Sequence, residues 1–192
     1  MNRKEKMQWI LASASPRRRE LLKEFIDEFE VIPAKGEEKA QEGLSPDALV
    51  CALATQKAEE VASLPVAQGK AVIGSDTVVA YDGEVLGKPK DEADAKRMLT
   101  ALSGNTHQVY TGVCIVLPNG EKLVASDCTD VEFEALDEDA ISAYVATGSP
   151  MDKAGAYGIQ DGGVVKEIHG SYSNVVGFPC ELFERLLKSI KG

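Results

Sequence analysis

Two runs of strict alternation constrain the fold more than anything else in the chain. His107, Val109, Thr111, Val113, Ile115 and Leu117 take every second position of the first run. Leu123, Ala125, Asp127, Thr129, Val131 and Phe133 do the same in the second, and Pro118-Asn119-Gly120 lies between them. A period of two belongs to β-strands, and a turn of this composition makes the runs a long antiparallel hairpin. Before the hairpin the pattern is different. Gln8-Trp9-Ile10-Leu11-Ala12 and Ala71-Val72-Ile73-Gly74-Ser75 are short apolar runs of the kind buried in a sheet, and each lies close to a helical period. Parallel α/β units therefore combine with an antiparallel hairpin, which predicts an α/β fold with a mixed sheet and flanking helices.

The first α/β unit carries an unusual charge pattern. Ser15 is a good N-cap and Pro16 a good first helical residue, so Arg17, Arg18 and Arg19 fall in the first helical turn, where the helix dipole disfavours positive charge. A bound phosphate would satisfy both the arginines and the free backbone N–H groups. Arg18 heads the apolar stripe of Leu21, Leu22, Phe25 and Phe29, so it needs a partner. The other reading is a solvated basic patch with Arg18 paired to a carboxylate. A second helix begins near Ser45-Pro46-Asp47, with an apolar face of Leu49, Val50, Leu53, Ala54, Ala58 and Val61 that also includes Lys57. That lysine either snorkels to the rim or points into a site. The apolar run ending at Ser75 is expected to deliver Asp76 and Thr77 at a strand end, the favoured position for ligand groups in open α/β sheets.

Further along, Asp82-Gly83 marks a tight turn that places Lys88 on a constrained loop. Helices are expected over Glu92 to Leu102, with Ser103-Gly104 as the stop, and over Asp137 to Thr147. The segment 149–163, rich in small residues, matches no ordinary turn and would permit close backbone approach to a ligand. A strand near 164–168 and a final helix burying Leu182, Phe183, Leu186, Leu187 and Ile190 complete the chain. His107 reads as a sheet residue and His169 as a loop residue.

Charge narrows the range of partners. The 192 residues carry 21 Lys plus Arg and 31 Asp plus Glu, a formal net charge of −10, which argues against long nucleic acids but not against a small anion in a local basic pocket. Cys51, Cys114, Cys128 and Cys180 have neither C-x-x-C nor metal-ligand spacing, and read as reduced thiols of a cytoplasmic protein. No apolar run approaches the roughly 18 residues of a membrane span, and Met1 to Gln8 has no apolar signal core.

The remaining unusual residues are cations (Arg17, Arg18, Lys57, Lys88), carboxylates (Glu37, Glu38, Asp76) and hydrogen-bonding side chains (Ser13, Thr77, Gln160). Together they suggest phosphoryl chemistry with a divalent metal, since Mg²⁺ or Mn²⁺ takes one or two carboxylates plus phosphate oxygens. Asp76 could orient or deprotonate an attacking water. Singly, each carboxylate is more often a helix cap or a surface charge. Competing motifs are absent: the chain has no G-x-x-x-x-G-K-[ST] loop, no second aspartate two residues after Asp76, and no G-x-S-x-G elbow.

Five blocks in order resemble the Maf family of nucleoside triphosphate pyrophosphatases. They are Leu11-Ala12-Ser13-Ala14-Ser15-Pro16-Arg17-Arg18, Ser75-Asp76-Thr77-Val78-Val79, Gly87-Lys88-Pro89, Leu102-Ser103-Gly104 with His107, and Asp152-Lys153-Ala154-Gly155-Ala156-Tyr157-Gly158-Ile159-Gln160. The resemblance implies one domain over 1–192 with two lobes and a nucleotide cleft between them, similar to the inosine triphosphate pyrophosphatase fold. It also implies metal-dependent hydrolysis, with Mg²⁺, Mn²⁺ or Co²⁺, between the α- and β-phosphates of a nucleoside triphosphate. Asp76 would be the general base. Ser13, Arg18, Lys57 and Lys88 would bind substrate, Arg17, Thr77 and Gln160 would bear on the base, and Glu38 with Asp76 would serve the metal. The last block looks like the branch acting on dTTP and UTP, and the Gln160 amide offers a donor and an acceptor to a pyrimidine edge. Two positions depart from the pattern: Ser149 stands where a glutamate is common, and Asp161 where a glycine usually follows the glutamine. A homodimer is suggested by the resemblance alone. A nucleotide-binding regulator of septum formation with little turnover is the alternative to an enzyme.

Overall fold

The structure, a computed structural model, describes residues 7–36 and 43–190. The proposed metal residue Glu38 and its neighbour Glu37 lie outside these residues. The chain divides into two compact units, one of Met1–Asp76, Thr111–Asp127 and Gly177–Gly192, the other of Thr77–Tyr110 and Cys128–Val176.

In the first unit, β1 (Trp9–Leu11) is wholly buried and leads through Ala12-Ser13-Ala14-Ser15 into α1 (Pro16–Leu22). The Ser15 hydroxyl accepts from the Arg18 amide and Pro16 opens the helix, as the sequence predicts. The helix is shorter than the apolar stripe implies, but Phe25 and Phe29 beyond its end still pack with Leu22, Leu11, Ile73 and Phe183. β1 pairs in parallel with β2 (Glu30–Val31) and with β3 (Ala71–Tyr81), placing Leu11 opposite Ile73. Between β2 and β3 runs α2 (Pro46–Ala62), which buries Val50, Leu53, Ala54, Ala58 and Val61.

β3 corrects one expectation. It does not stop at Ser75, so Asp76 and Thr77 lie mid-strand rather than at a strand end. The physical reason is in the residues that follow: Thr77, Val78, Val79 and Tyr81 are good strand formers, and Asp82-Gly83 folds β4 (Glu84–Leu86) back onto them. Asp82 and Gly83 have φ of 48° and 76°, the paired positive values a two-residue primed turn requires.

The second unit contains α3 (Glu92–Leu102), capped by the Asp91 carboxylate, and α4 (Glu138–Ala146), capped by Asp137. α3 buries Ala95, Met98, Leu99 and Leu102 against Val109, Val131, Phe133 and Ile141. The hairpin strands are β5 (Thr106–Val116) and β6 (Lys122–Phe133), and β7 (Val165–His169) pairs antiparallel with β6. His169 is therefore a strand residue opposite Asp130, not a loop residue, because the long edge of β6 carries the pairing one residue further. The small-residue segment resolves into three 3-10 turns, Ser149–Asp152, Ala154–Ala156 and Ile159–Asp161. α5 (Tyr172–Val176), which has no signal in the sequence pattern, and α6 (Cys180–Ser189) complete the elements. Among the described residues the seven strands run β2-β1-β3-β5-β6-β7, with β4 on β3. No helix among them is long and apolar enough to cross a membrane. The four cysteines are free thiols, and burial pushes Cys51 and Cys114 up from the ordinary thiol range.

Candidate functional site

Gly74 on β3 and Gly112 on β5 determine where Lys57 goes. A Cβ on Gly74 would stand 2.2 Å from the Ala54 carbonyl oxygen and 2.8 Å from the Ala58 nitrogen, and one on Gly112 would stand 2.4 Å from the Val50 oxygen. α2 thus lies in direct backbone contact with both strands, which only glycine permits. Asp76 is two residues beyond Gly74 and so shares its face of β3. Lys57, one turn along α2 from Ala54, forms an ion pair with Asp76 through Nζ and Oδ1. Lys57 therefore points to the Asp76 carboxylate. The two side chains keep 22% and 11% of their exposure, so the pair is largely but not wholly withdrawn from solvent.

Ser13 and Arg18 come together in the loop and first helical turn that follow β1. The Ala12 amide donates to the Ile73 carbonyl at 2.8 Å, so the Ser13-Ala14-Ser15 loop leaves β1 alongside the middle of β3. Ser13 is buried, and its hydroxyl accepts from the Ser15 amide at 3.2 Å and from Arg18 Nη1 at 3.4 Å. Arg18 Nε donates to the Gly177 carbonyl at 2.8 Å, which gives the core-facing arginine its anchor. Arg17 is half-buried and Arg19 exposed.

Lys88, Gln160 and Thr77 belong to the second unit. Thr77 follows Asp76 on β3, so its side chain points to the opposite face of the strand. Lys88 is exposed, on a loop whose preceding Gly87 carbonyl accepts from the Gly155 amide at 3.1 Å. Gly155, at φ 68°, presses on Val79, whose methyl would be 2.7 Å from an added Cβ. The Tyr157 hydroxyl meets His107 Nε2 at 2.8 Å, and both rings pack edge-on against Phe133. Residues of three other sequence blocks, Val79, Gly87 and His107, therefore meet the 152–161 segment, which holds Gln160 exposed on its last turn. Ser149 and Asp161, the two departures from the family pattern, are hydrogen-bonded to each other at 2.7 Å.

Sequence reasoning missed Gly74 and Gly112 as the seat of α2, the Gly177 carbonyl, and the Tyr144 hydroxyl that bonds both Asp161 and Gly158. A glycine inside an apolar strand run was the available signal for Gly74.

A family model described as Maf-like protein matches residues 8–190. The dTTP/UTP pyrophosphatase of Agathobacter rectalis is 51% identical over 199 residues, covering 94% of this chain and 97% of that protein. The dTTP/UTP pyrophosphatase of Thermococcus gammatolerans is 51% identical over 179 residues, covering 92% of this chain and 94% of that protein. Among solved structures, the Staphylococcus aureus Ham1 protein superposes with a TM-score of 0.51 at 18% identity, over 96% of this chain and 100% of that one. A HAM1 protein from Coxiella burnetii gives 0.52 at 16% identity, over 95% and 98%. These two share the fold.

Proposed function

The chain belongs to the Maf family, and from that membership together with the Lys57–Asp76 ion pair we propose that it hydrolyses dTTP and UTP to the nucleoside monophosphate and pyrophosphate. Water attacks the α-phosphorus, its oxygen forms the new P–O bond, and the bond to the α,β-bridging oxygen breaks with pyrophosphate as leaving group. Asp76 accepts the proton of the attacking water. Lys57, held on Asp76, orients that carboxylate and offers positive charge to the phosphates. Arg18, its Nε fixed on Gly177, directs its terminal nitrogens toward Ser13 and the phosphate oxygens, and Lys88 adds a further cation to the chain of phosphates. Arg17, Thr77 and Gln160 recognise the base, with the Gln160 amide matched to the donor and acceptor edge of thymine or uracil.

A divalent cation fits this set of residues. Among the described residues no three or more His, Cys, Asp or Glu side chains cluster as a metal cage, while Asp76 provides one partly accessible carboxylate. A Mg²⁺, Mn²⁺ or Co²⁺ ion that arrives on a triphosphate takes one or two protein carboxylates, and Asp76, with Glu38 by the family resemblance, would hold it. When bound, the ion neutralises charge on the phosphates.

The ion pair carries this reading, because a lysine and an aspartate drawn from two elements onto one partly exposed spot are what phosphate binding and water activation both need. Pyrophosphate release measured over dTTP, UTP, CTP, ATP and GTP with each metal should be fastest for the uracil and thymine nucleotides and should vanish with a chelator. Asp76→Asn should lower kcat by about 10²- to 10⁴-fold, the usual contribution of a general base, with the fold intact by circular dichroism. Wild-type protein that releases no pyrophosphate from any triphosphate would overturn the proposal.

A further inference from the structure

Gln160 is exposed, and an exposed glutamine with its rotatable bonds is a poor reader of a base unless its backbone is held. The backbone around it is held closely. Asp161 Oδ2 accepts from the Tyr144 hydroxyl at 2.6 Å and from the Ser149 hydroxyl at 2.7 Å. The same Tyr144 hydroxyl accepts from the Gly158 amide at 3.0 Å, and the Asp161 amide donates to the Gly158 carbonyl at 3.0 Å. One hydroxyl and one carboxylate thus fix the residues on both sides of the turn carrying Gln160, and tie it to α4 and to the first 3-10 turn.

Charge is arranged to keep the clamp closed. Lys153 Nζ donates to the Ser149 carbonyl at 2.5 Å and hydroxyl at 3.0 Å and to Asp152 Oδ1 at 2.9 Å, so a largely buried cation stands behind the Ser149 that bonds Asp161. Its stem crosses Gly158 so closely that an added Cβ would lie 2.8 Å from Lys153 Cε and 3.1 Å from Asp161 Oδ2. Burial and the neighbouring Asp161 raise Tyr144 above the ordinary tyrosine range, so its hydroxyl keeps its proton and remains a donor at neutral pH.

We propose that Asp161 is a positioning residue for base recognition: through Tyr144 and Ser149 it clamps the turn at Gly158–Asp161 so that Gln160 meets the pyrimidine in one orientation. Its Oδ2 accepts from two protein donors that hold the turn, which makes its role one exerted through the position of Gln160. The inference deepens the assignment of Gln160 as base reader and rests on it. Tyr144 and Ser149 become part of the specificity apparatus although neither belongs to the substrate-binding set.

The test compares Asp161→Ala, Asp161→Asn, Tyr144→Phe and Gln160→Ala with wild type, measuring kcat and KM for dTTP, UTP and CTP at saturating Mg²⁺. Loss of pre-ordering is a loss of binding, so Asp161→Ala should raise KM for dTTP and UTP by about 3- to 10-fold with little change in kcat, and should narrow the preference over CTP. Tyr144→Phe should do the same. Asp161→Asn, which keeps a carbonyl acceptor, should recover most of the preference. Amide exchange at Gly158 in the free protein should quicken in Asp161→Ala and Tyr144→Phe. Unchanged KM and preference in Asp161→Ala, while Gln160→Ala loses its preference, would overturn the clamp and leave Gln160 as reader. Unchanged preference in Gln160→Ala would overturn both assignments. A fall in kcat at constant KM in Asp161→Ala would overturn the positioning role in favour of direct participation.

Discussion

His107 is fully buried, with Nε2 on the Tyr157 hydroxyl and, among the described residues, no partner for Nδ1. Charging the ring would bury an N–H without an acceptor as well as a cation, and burial lowers its pKa from 6.5 to about 4. The consequence for stability has a definite sign. Between those two values the unfolded chain takes up a proton and the folded chain does not, so the contribution of neutral His107 is complete above pH 6.5 and is lost as pH falls toward 4. A shift of this size corresponds to about 3 kcal/mol over the window. Urea denaturation at pH 7 and pH 4.5 should show this loss in the wild type, and His107→Gln should be less stable at pH 7 but flatter between the two. An equal slope in the variant would remove His107 as the source. At this scale the sequence was legible only locally. Alternation placed His107 on the sheet and the Ser-Pro pair placed Arg18 in a first helical turn, but Tyr157 is 50 residues from His107 and Gly177 is 159 from Arg18. Neither partner leaves a trace within a short window of sequence.

Elements position what residues perform, and α2 depends on two glycines. With Gly74→Ala the new Cβ would fall 2.2 Å from the Ala54 carbonyl, so the helix must move off β3 exactly where the next turn delivers Lys57 to Asp76. Overpacking of this kind costs about 1–3 kcal/mol. Gly112→Ala, 2.4 Å from the Val50 carbonyl, strains the same helix two turns away from Lys57. Both variants should lower the melting temperature comparably, but Gly74→Ala should lose about 10²-fold in kcat, the effect of a displacement of about 1 Å, and Gly112→Ala much less. Thermal melts beside pyrophosphate release distinguish them; equal activity losses at equal destabilisation would mean that helix seating near Lys57 has no special role. The helices and the hairpin were readable from periodicity, with α3 matching to the residue. The extension of β3 past Asp76 was not, because a polar pair interrupts the apolar run before the strand goes on to pair with β4 at Val79–Tyr81.

For the whole molecule the relevant quantity is where positive charge is concentrated within a chain of net charge −10. Two apolar clusters around Leu11 and Ile73 and around Ala54 and Val72 hold the first unit, a third around Leu99 and Phe133 the second, and none of them explains Arg18 or Lys57. The family fold was legible because five short blocks kept their order. α5 was not, since its five residues carry no helical period. A ligand that binds only the folded state stabilises it by about 2.7 kcal/mol at a hundredfold excess over Kd. For a chain of this length that is a rise of about 5–10 °C in melting temperature. An α,β-methylene analogue of dTTP with Mg²⁺ should produce such a rise in the wild type and in Asp76→Asn, which keeps the cations, but a much smaller one in Arg18→Ala. Long DNA at the same phosphate concentration should produce none, because phosphates beyond the local cluster meet a net negative surface. A shift with DNA as large as with the nucleotide would mean that the cations form a broad polyanion surface and not a site for one triphosphate.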